Sequence, residues 1–191
     1  ATVADAAMSL VMSLPEARVI GLPGGRTGAI RDLDADATRS VQNADAVVVG
    51  PGMERSTATQ RVARAVIADA RATIVLDAGA LDASAVAAFR RRRSADVAMV
   101  MTPHAGEMAS LLETDEDIVR ANAEAIAREY ARAWNVVLVL KGPTTWIAAP
   151  DGRLWVNTAG SVGLGTSGSG DVLAGVIAGL AARGAGAEQA D

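Results

Sequence analysis

Apolar and polar positions follow two different spacings along the chain, and each spacing predicts one kind of element. Short runs rich in β-branched residues are typical of buried strands, and the alanine-rich stretches between them have helical spacing. Strands are predicted at Arg18–Leu22, Ala46–Val49, Thr73–Leu76, Val97–Met101, Val136–Leu140, Thr145–Ala148 and Leu154–Val156. Helices are predicted at Val3–Leu14, Thr57–Asp69, Ala83–Arg92, Glu107–Leu112, Asp115–Trp134 and Gly170–Arg183. This alternation predicts an α/β fold with a mostly parallel sheet.

Turn and capping signals add detail to this pattern. Pro150-Asp151-Gly152 is a turn sequence and predicts an antiparallel hairpin of the last two strands. Thr114, which precedes three acidic residues, has the pattern of a helix N-cap. The basic run Arg90–Arg93 is typical of a solvated helix end, with a phosphate or partner contact as the alternative. Gly24–Gly28 looks like a phosphate loop, but no helical pattern follows it, so we predict a flexible surface turn.

Composition narrows the class of protein. A chain of 191 residues with 50% hydrophobic and 3% aromatic content predicts one domain with an aliphatic core. A net charge of -4 without a recurring basic stripe argues against an extended nucleic-acid surface. The absence of cysteine excludes disulfides and thiolate chemistry. No apolar run approaches the ~20 residues of a membrane helix, and no secretory signal is visible, so we expect a soluble, cytoplasmic protein without membrane contact.

The strongest chemical signal is the glycine-rich segment Gly163–Asp171, which leads directly into an apolar helix. Glycines let a phosphate approach the backbone, while the free amides and the dipole of a helix start favour an anion. The segment therefore predicts an anion hole, although it lacks the lysine of a Walker A motif. Asp171 in the first turn is either a helix cap or, beside a phosphate, the acceptor of a hydroxyl proton, and we favour the acceptor.

Other candidate residues follow predicted strands, at the edge where open α/β sheets bind ligands. Lys141, the only lysine, opens Lys141-Gly142-Pro143-Thr144-Thr145 and is interpreted as a phosphate ligand, with an incidental surface role as the alternative. His104, the only histidine, is either a ligand contact or structural. Glu107 either holds Mg²⁺ through water or serves the first turn of a helix. Gly50-Pro51-Gly52 is a further turn at this edge.

Taken in order, these segments resemble the NAD(P)H-hydrate dehydratases of the ribokinase-like superfamily over nearly the whole chain. The resemblance rests on Gly50-Pro51-Gly52, Asp77-Ala78-Gly79-Ala80-Leu81, Thr102–Glu107, Leu140-Lys141-Gly142 with Thr145, and Gly168-Ser169-Gly170-Asp171 followed by Val172-Leu173-Ala174-Gly175. It implies an α/β fold of the ribokinase-like type, a three-layer sandwich with a mostly parallel sheet flanked by helices.

The resemblance also implies a reaction and a set of roles. NADH or NADPH would be restored from its C6-hydrated form, with ADP or ATP as co-substrate and Mg²⁺ bridging the phosphates. Asp171 would be the base, and the amides of Gly168, Ser169 and Gly170 would hold the transferring phosphate. Gly52, His104 and Asp171 would contact the hydrate. The AMP part of the nucleotide would lie against Lys141, Gly142, Pro143, Thr144, Thr145 and Gly170, and Glu107 is the candidate metal residue. Relatives often assemble as tetramers.

The chain departs from the family pattern in a few places. Gly165 and Ser167 replace the alanine and the first glycine of the family's Ala-Thr-Gly-Gly, and Gly79 replaces the second aspartate of Asp-Ala-Asp-Ala-Leu. These changes keep the base and the loop amides. The family's glycine-rich N-terminal segment, which supplies a strand, a helix and part of the substrate pocket, is not seen. We therefore expect one domain over residues 1–191 without that segment and the extreme C-terminus.

Two alternatives stay open at this point. A ribokinase-like kinase of hydroxyethylthiazole or hydroxymethylpyrimidine shares the Gly-Ser-Gly-Asp pattern, although Thr102–Glu107 favours the dehydratase. A non-catalytic nucleotide-binding paralogue is the alternative from another class, and the apparent truncation motivates it. A stable phosphorylated alcohol would indicate the kinase, whereas recovered nicotinamide absorbance would indicate the dehydratase.

Overall fold

Two sheets, one small and parallel and one large and mostly parallel, organise the chain. The computed structural model describes residues 1–25, 28–92 and 97–188. A two-stranded sheet pairs β1 (Thr2–Val3) with β2 (Gly21–Leu22). The larger, six-stranded sheet contains β3 (Ala46–Val49), β4 (Thr73–Leu76), β5 (Met99–Met101), β6 (Val137–Leu140), β7 (Thr145–Ala148) and β8 (Leu154–Asn157) in chain order. Strands β3 to β6 are parallel and β7 and β8 are antiparallel, which confirms the mostly parallel sheet and the terminal hairpin.

Helices connect the strands and cover the large sheet. The helices are α1 (Ala4–Ser13), α2 (Ala35–Gln42), α3 (Thr57–Asp69), α4 (Ala83–Arg90), α5 (Ala105–Leu112), α6 (Glu116–Ala121), α7 (Ala123–Trp134) and α8 (Ser169–Glu188). Right-handed crossovers between successive parallel strands place α3 to α7 on one face of the sheet. The largest fully buried side chains of that layer include Ile67, Ile74, Leu76, Met99, Met101, Met108 and Leu138. The core is therefore aliphatic, as the composition predicted, and it also contains three buried methionines, Met99, Met101 and Met108.

Helix α8 covers the opposite face of the large sheet. It packs against β3 and β4. Val75 on β4 is buried but lies outside the core cluster that contains Ile74 and Leu76, because successive side chains of a strand point to opposite faces. Ala174 of α8 is fully buried. Helices on both faces complete the three-layer α/β architecture that the sequence predicted.

Two predictions about the stretch Thr114–Trp134 needed correction. The predicted helix Asp115–Trp134 is divided at Asn122, which ends α6 and precedes α7 with φ −120° and ψ 25°. The Asn122 side chain donates to the carbonyl of Ile118 at 2.9 Å, a local bond that competes with helix continuation. Thr114 is not the N-cap. Asp115 is, since its carboxylate accepts the amide of Asp117 at 2.7 Å.

Helix α2 and strand β1 were not predicted. The sequence of α2 has few apolar positions, and Ala37 is its one buried residue. Its start is fixed by Asp34, whose side chain accepts the Ala37 amide at 2.8 Å, an N-cap signal present in the sequence. Val3, predicted to begin the first helix, lies in β1 instead. That helix, α1, buries none of its residues.

The predicted loops have mixed outcomes. Gly152, with φ +96°, turns the hairpin, and the backbone amide of Arg153 donates to Asp151, which lowers the pKa of Asp151 below its ordinary value. Arg92 corrects the picture of a wholly solvated basic run, because its guanidinium donates to the carbonyls of Ile67, in the last turn of α3, and of Ala70, its C-cap. Arg93 lies outside the described residues. So do Arg26 and Thr27 of the predicted glycine turn, after which no helix begins before α2.

None of the helices in the described ranges combines the length and the apolar character needed to cross a membrane.

Candidate active site

The carboxyl ends of the parallel strands bring the candidate residues together at one edge of the large sheet. Strand β4 ends before Asp77, β5 ends before Thr102, and β6 ends before Lys141. The backbone of Lys141 continues the pairing, since its amide donates to the carbonyl of Pro103 at 2.8 Å and it forms a parallel bridge with His104. The sole lysine and the sole histidine are therefore neighbours, although 37 positions separate them in the sequence, 141 − 104.

The glycine-rich segment meets this edge at the start of α8. Gly168 has φ +84°, and the helix begins at Ser169. Among the described residues, the amides of Gly168, Gly170 and Asp171 have no hydrogen-bond acceptor. The Ser169 amide was predicted to belong to the same anion hole, but here it donates to the carbonyl of Thr166 at 3.2 Å and is not free as the Gly168 and Gly170 amides are. Unpaired amides at a helix start are ready to bind an anion.

Asp77 is the residue of this site that the sequence did not single out. Its side chain is 2% exposed, and Oδ1 accepts hydrogen bonds from Nζ of Lys141 at 2.9 Å and from Oγ1 of Thr102 at 2.7 Å. Thr102 is fully buried. Lys141, whose side chain is 20% exposed, is therefore paired with a buried carboxylate and is not an incidental surface lysine. A buried charge of this kind requires a partner.

The ion pair lies directly beside the start of α8. A Cβ built on Gly170 would lie 3.3 Å from Nζ of Lys141 and 3.7 Å from Oδ2 of Asp77. The ammonium group and the free amides of the helix start thus face the same small volume. Asp171 follows Gly170 in the first turn, and its side chain is exposed. Asp171 is thus next in sequence to the residue that lies beside the sole lysine, at the edge of the sheet where β4, β5 and β6 end.

His104 and Glu107 form a capping box at the start of α5. Nδ1 of His104 accepts the amides of Gly106 at 3.0 Å and Glu107 at 3.3 Å, and Oε2 of Glu107 accepts the amide of His104 at 2.8 Å. Glu107 therefore has the helix-start role that was the alternative to metal binding. Oε2 also lies 3.9 Å from Nζ of Lys141. The imidazole, 58% exposed, remains open to a ligand.

Two cavities border the site, and the predicted residues are divided between them. His104 and Lys141–Thr144 line a cleft of about 560 Å³ next to α6 and Trp146. Gly50–Gly52 line a second cleft of about 650 Å³ between the two-stranded sheet and β3. The predicted hydrate contacts Gly52 and His104 therefore lie in different clefts. Gly52 follows β3 and His104 follows β5, and Asp77 follows β4, the strand between these two.

The Gly50–Gly52 turn owes its shape to its glycines. Gly50 has φ +123° and Gly52 has φ +68°. A Cβ on Gly50 would overlap the carbonyl of Asp77, whereas a Cβ on Gly52 would meet no atom within 4 Å. Close contact with the Asp77 backbone explains the first glycine, and the left-handed backbone explains the second.

No group of three or more histidine, aspartate and glutamate side chains that could hold a metal ion occurs in the part of the chain that the structure describes. This does not conflict with a Mg²⁺ bound chiefly by nucleotide phosphates, since such ions use one or two protein carboxylates and keep several waters. Oε1 of Glu107, the predicted metal residue, accepts no hydrogen bond within the described residues.

Comparisons with known proteins agree on one family. The model of the NAD(P)H-hydrate dehydratase family matches residues 1–190. The chain is 43% identical to an ADP-dependent (S)-NAD(P)H-hydrate dehydratase of Xanthomonas campestris pv. campestris, over 96% of this chain and 62% of that protein. It is 34% identical to a protein of the same name from Neisseria meningitidis, over 90% of this chain and 57% of that protein.

A solved structure extends the agreement to the fold. The crystal structure of an ADP/ATP-dependent NAD(P)H-hydrate dehydratase from Bacillus subtilis, co-crystallised with ATP/Mg²⁺, superposes with a TM-score of 0.75 at 28% identity. The match covers 95% of this chain and 60% of that chain. The chain thus spans less than two thirds of the length of these relatives. The family model and the relatives show that the chain belongs to the NAD(P)H-hydrate dehydratase family.

Proposed function

We propose that the protein carrying this chain dehydrates hydrated NADH and NADPH in a reaction that uses ADP or ATP. The family match and the names of the relatives from Xanthomonas and Neisseria support this activity. The observation that carries it is the meeting of three features at one sheet edge: the free amides before α8, the Lys141 ammonium beside Gly170, and the exposed carboxylate of Asp171. Together they suit transfer of a phosphoryl group to a hydroxyl.

Asp171 would act on the substrate hydroxyl. Its carboxylate accepts the proton of the C6 hydroxyl while that oxygen attacks the terminal phosphorus of the nucleotide. The bond from that phosphorus to the bridging oxygen breaks, so ADP leaves as AMP and ATP as ADP. The phosphate then departs from C6, and a proton leaves C5, which restores the ring double bond. The hydroxyl is a poor leaving group, and phosphorylation turns it into a good one.

The amides of Gly168 and Gly170, with the Lys141 ammonium, would stabilise the charge on the transferring phosphoryl group. Backbone donors and a fixed cation need no rearrangement when that charge develops. Lys141–Thr145 and Gly170 would contact the AMP part of the nucleotide. Gly52 and His104 would contact the hydrate from the two bordering clefts. Mg²⁺ would supply charge neutralisation between the phosphates, with Glu107 as its protein partner through water.

The direct test incubates the intact gene product with hydrated NADH, ADP or ATP, and Mg²⁺, and follows the absorbance of NADH. We expect one NADH and one inorganic phosphate for each nucleotide consumed, and no NADH when nucleotide is omitted. A stable phosphorylated alcohol without nicotinamide absorbance would instead assign the protein to the ribokinase-like kinases. Folded protein that binds nucleotide and restores no NADH would contradict the dehydratase.

Glu107→Gln tests the metal role separately from the helix-start role. Glutamine preserves the capping box, because it accepts the His104 amide as glutamate does. The variant should therefore lose less than about 1 kcal/mol of unfolding free energy. If Glu107 holds Mg²⁺ through water, the Mg²⁺ concentration for half-maximal turnover should rise several-fold. An unchanged Mg²⁺ dependence would remove Glu107 from the metal site.

Assembly and location are also part of the proposal. We infer a homo-oligomer, a tetramer by family resemblance, in the cytoplasm and without nucleic-acid or membrane partners. The exposed apolar side chains Val172, Val176 and Leu180 on α8 are compatible with a subunit contact. Light scattering of the purified intact protein measures the mass directly, and a monomeric mass would contradict the oligomer.

A further inference from the structure

We propose that Asp77 is a positioning residue for phosphoryl transfer: its buried carboxylate holds the Lys141 ammonium beside the start of α8. This rests on the proposed function, in which Lys141 binds the nucleotide. Asp77 does not reach the reacting atoms itself, and it acts through the lysine. The observations that carry the proposal are the burial of the carboxylate, its hydrogen bonds and the distance of the ion pair from Gly170.

The carboxylate is fixed by three strands. The Asp77 amide donates to the carbonyl of Val49 at 3.2 Å, and Gly50 packs so closely on the Asp77 carbonyl that no side chain fits there. On the other side, Thr102 donates through Oγ1 to Oδ1 at 2.7 Å. The backbone and the side chain of Asp77 are therefore held by β3, β4 and β5. A carboxylate held this firmly transmits its position to any group bonded to it.

The lysine lacks such support of its own. The lysine side chain has a flexible four-carbon stem, so other groups must hold its ammonium group in place. Here the side chain is 20% exposed, and Nζ is bonded to Oδ1 of Asp77 at 2.9 Å, with Oε2 of Glu107 farther away at 3.9 Å. Among the described residues, Asp77 is thus the nearest anchor of the ammonium.

The geometry relates this anchor to the anion hole. Nζ of Lys141 and Oδ2 of Asp77 lie 3.3 Å and 3.7 Å from the position of a Cβ on Gly170. Oδ2 accepts no hydrogen bond from the described residues. Without the lysine, the Asp77 carboxylate would repel a phosphate bound at this place. Its contribution to binding is therefore indirect, through the position of the Lys141 ammonium. We therefore expect its loss to affect turnover more than nucleotide affinity.

Asp77→Asn tests this expectation, because asparagine keeps the shape and removes the charge. Turnover should fall by about tenfold or more, while the nucleotide dissociation constant changes much less, since the freed ammonium still attracts phosphate. In a double-mutant cycle, Asp77→Asn should cost almost nothing further when Lys141→Met is already present. Additive losses in kcat would show that Asp77 does not act through Lys141 and would overturn the proposal.

A spectroscopic readout separates this proposal from the proposed function. Lys141 is the only lysine of these 191 residues, and after ¹⁵N-lysine labelling its side-chain ammonium signal is identified as the one that Lys141→Met removes. We expect that signal to shift and to lose its protection from exchange in Asp77→Asn, with or without any dehydratase activity. An unchanged signal would overturn the positioning role. A shifted signal in a protein without turnover would leave the ion pair standing and remove the dehydratase instead.

Two further variants keep the test decisive. Asp82→Asn neutralises another carboxylate, 14% exposed, which caps α4, and it should leave both the ammonium signal and the kcat unchanged. If Asp77→Asn does not fold, Thr102→Val removes the second donor to the same oxygen and keeps the charge. The lysine signal should then shift while the ion pair persists, and an unaltered signal would count against the proposal.

Discussion

Asp171→Asn is expected to abolish turnover while nucleotide binding persists. Asparagine keeps the size of the side chain in the first turn of α8 but cannot accept the hydroxyl proton. General-base catalysis contributes about 10²–10⁴-fold, and kcat should fall by that amount. The free amides of Gly168 and Gly170 and the Lys141 ammonium remain, so calorimetry should find nucleotide affinity close to that of the wild type. Steady-state kinetics and calorimetry on the same sample provide the measurement.

The matched control is Asp151→Asn. Asp151 is also exposed, but it lies in the β7–β8 turn at the opposite end of the sheet, since β7 runs antiparallel to the strand that ends before Lys141. It should leave kcat unaltered. If Asp171 only stabilised the helix start, its replacement would lower the free energy of unfolding by about 0.3–1 kcal/mol and would leave kcat unchanged. Full turnover by the Asp171 variant would therefore end the assignment of the base.

Of the variants proposed here, Gly50→Ala is expected to lower the free energy of unfolding the most. Gly50 is buried, its φ of +123° is a conformation that L residues rarely adopt, and an added Cβ would overlap the Asp77 carbonyl. Strain of this kind costs about 1–3 kcal/mol, and the displacement of packed backbone adds to it. We expect a loss of more than about 3 kcal/mol in denaturant unfolding, together with loss of the ion pair between Asp77 and Lys141.

Gly52→Ala is the comparison for this prediction. It lies in the same turn and also has a positive φ, +68°, but its Cβ would meet no atom within 4 Å. The left-handed conformation alone costs about 1–2 kcal/mol in a residue other than glycine. Equal destabilisation of the two variants would mean that the contact with Asp77 contributes nothing. A much larger loss for Gly50→Ala would show that the contact fixes the turn.

The sheet could be predicted from the sequence because its strands are short, β-branched and bounded by turns. Six predicted strands correspond to β3–β8, and the predicted Thr57–Asp69 helix coincides with α3. Helix α2 was missed because Ala37 and Val41 are too few to give an apolar stripe. The helix break at Asn122 was missed because it depends on one side-chain hydrogen bond within a continuous helical pattern.

The candidate site was only partly predictable. Gly168–Asp171 could be found because glycines before an apolar helix are a local signal, and Lys141 because it is unique. The ion pair between Lys141 and Asp77 could not be predicted, because 64 positions separate the two residues and only the pairing of the strands brings them together. The roles assigned to Asp171, Gly52, His104 and Glu107 remain predictions that the variants above can test.

The order of strands in the large sheet bears on how the protein forms during synthesis. Each strand from β3 to β7 pairs with the next strand in the chain, so the sheet can grow in the order in which the ribosome delivers it. Helix α8 follows all six strands in the chain and packs on β3 and β4, the first two strands of this sheet to be synthesised. The six strands of this sheet are therefore synthesised before the glycine-rich segment Gly163–Asp171, for which we predict the phosphate site.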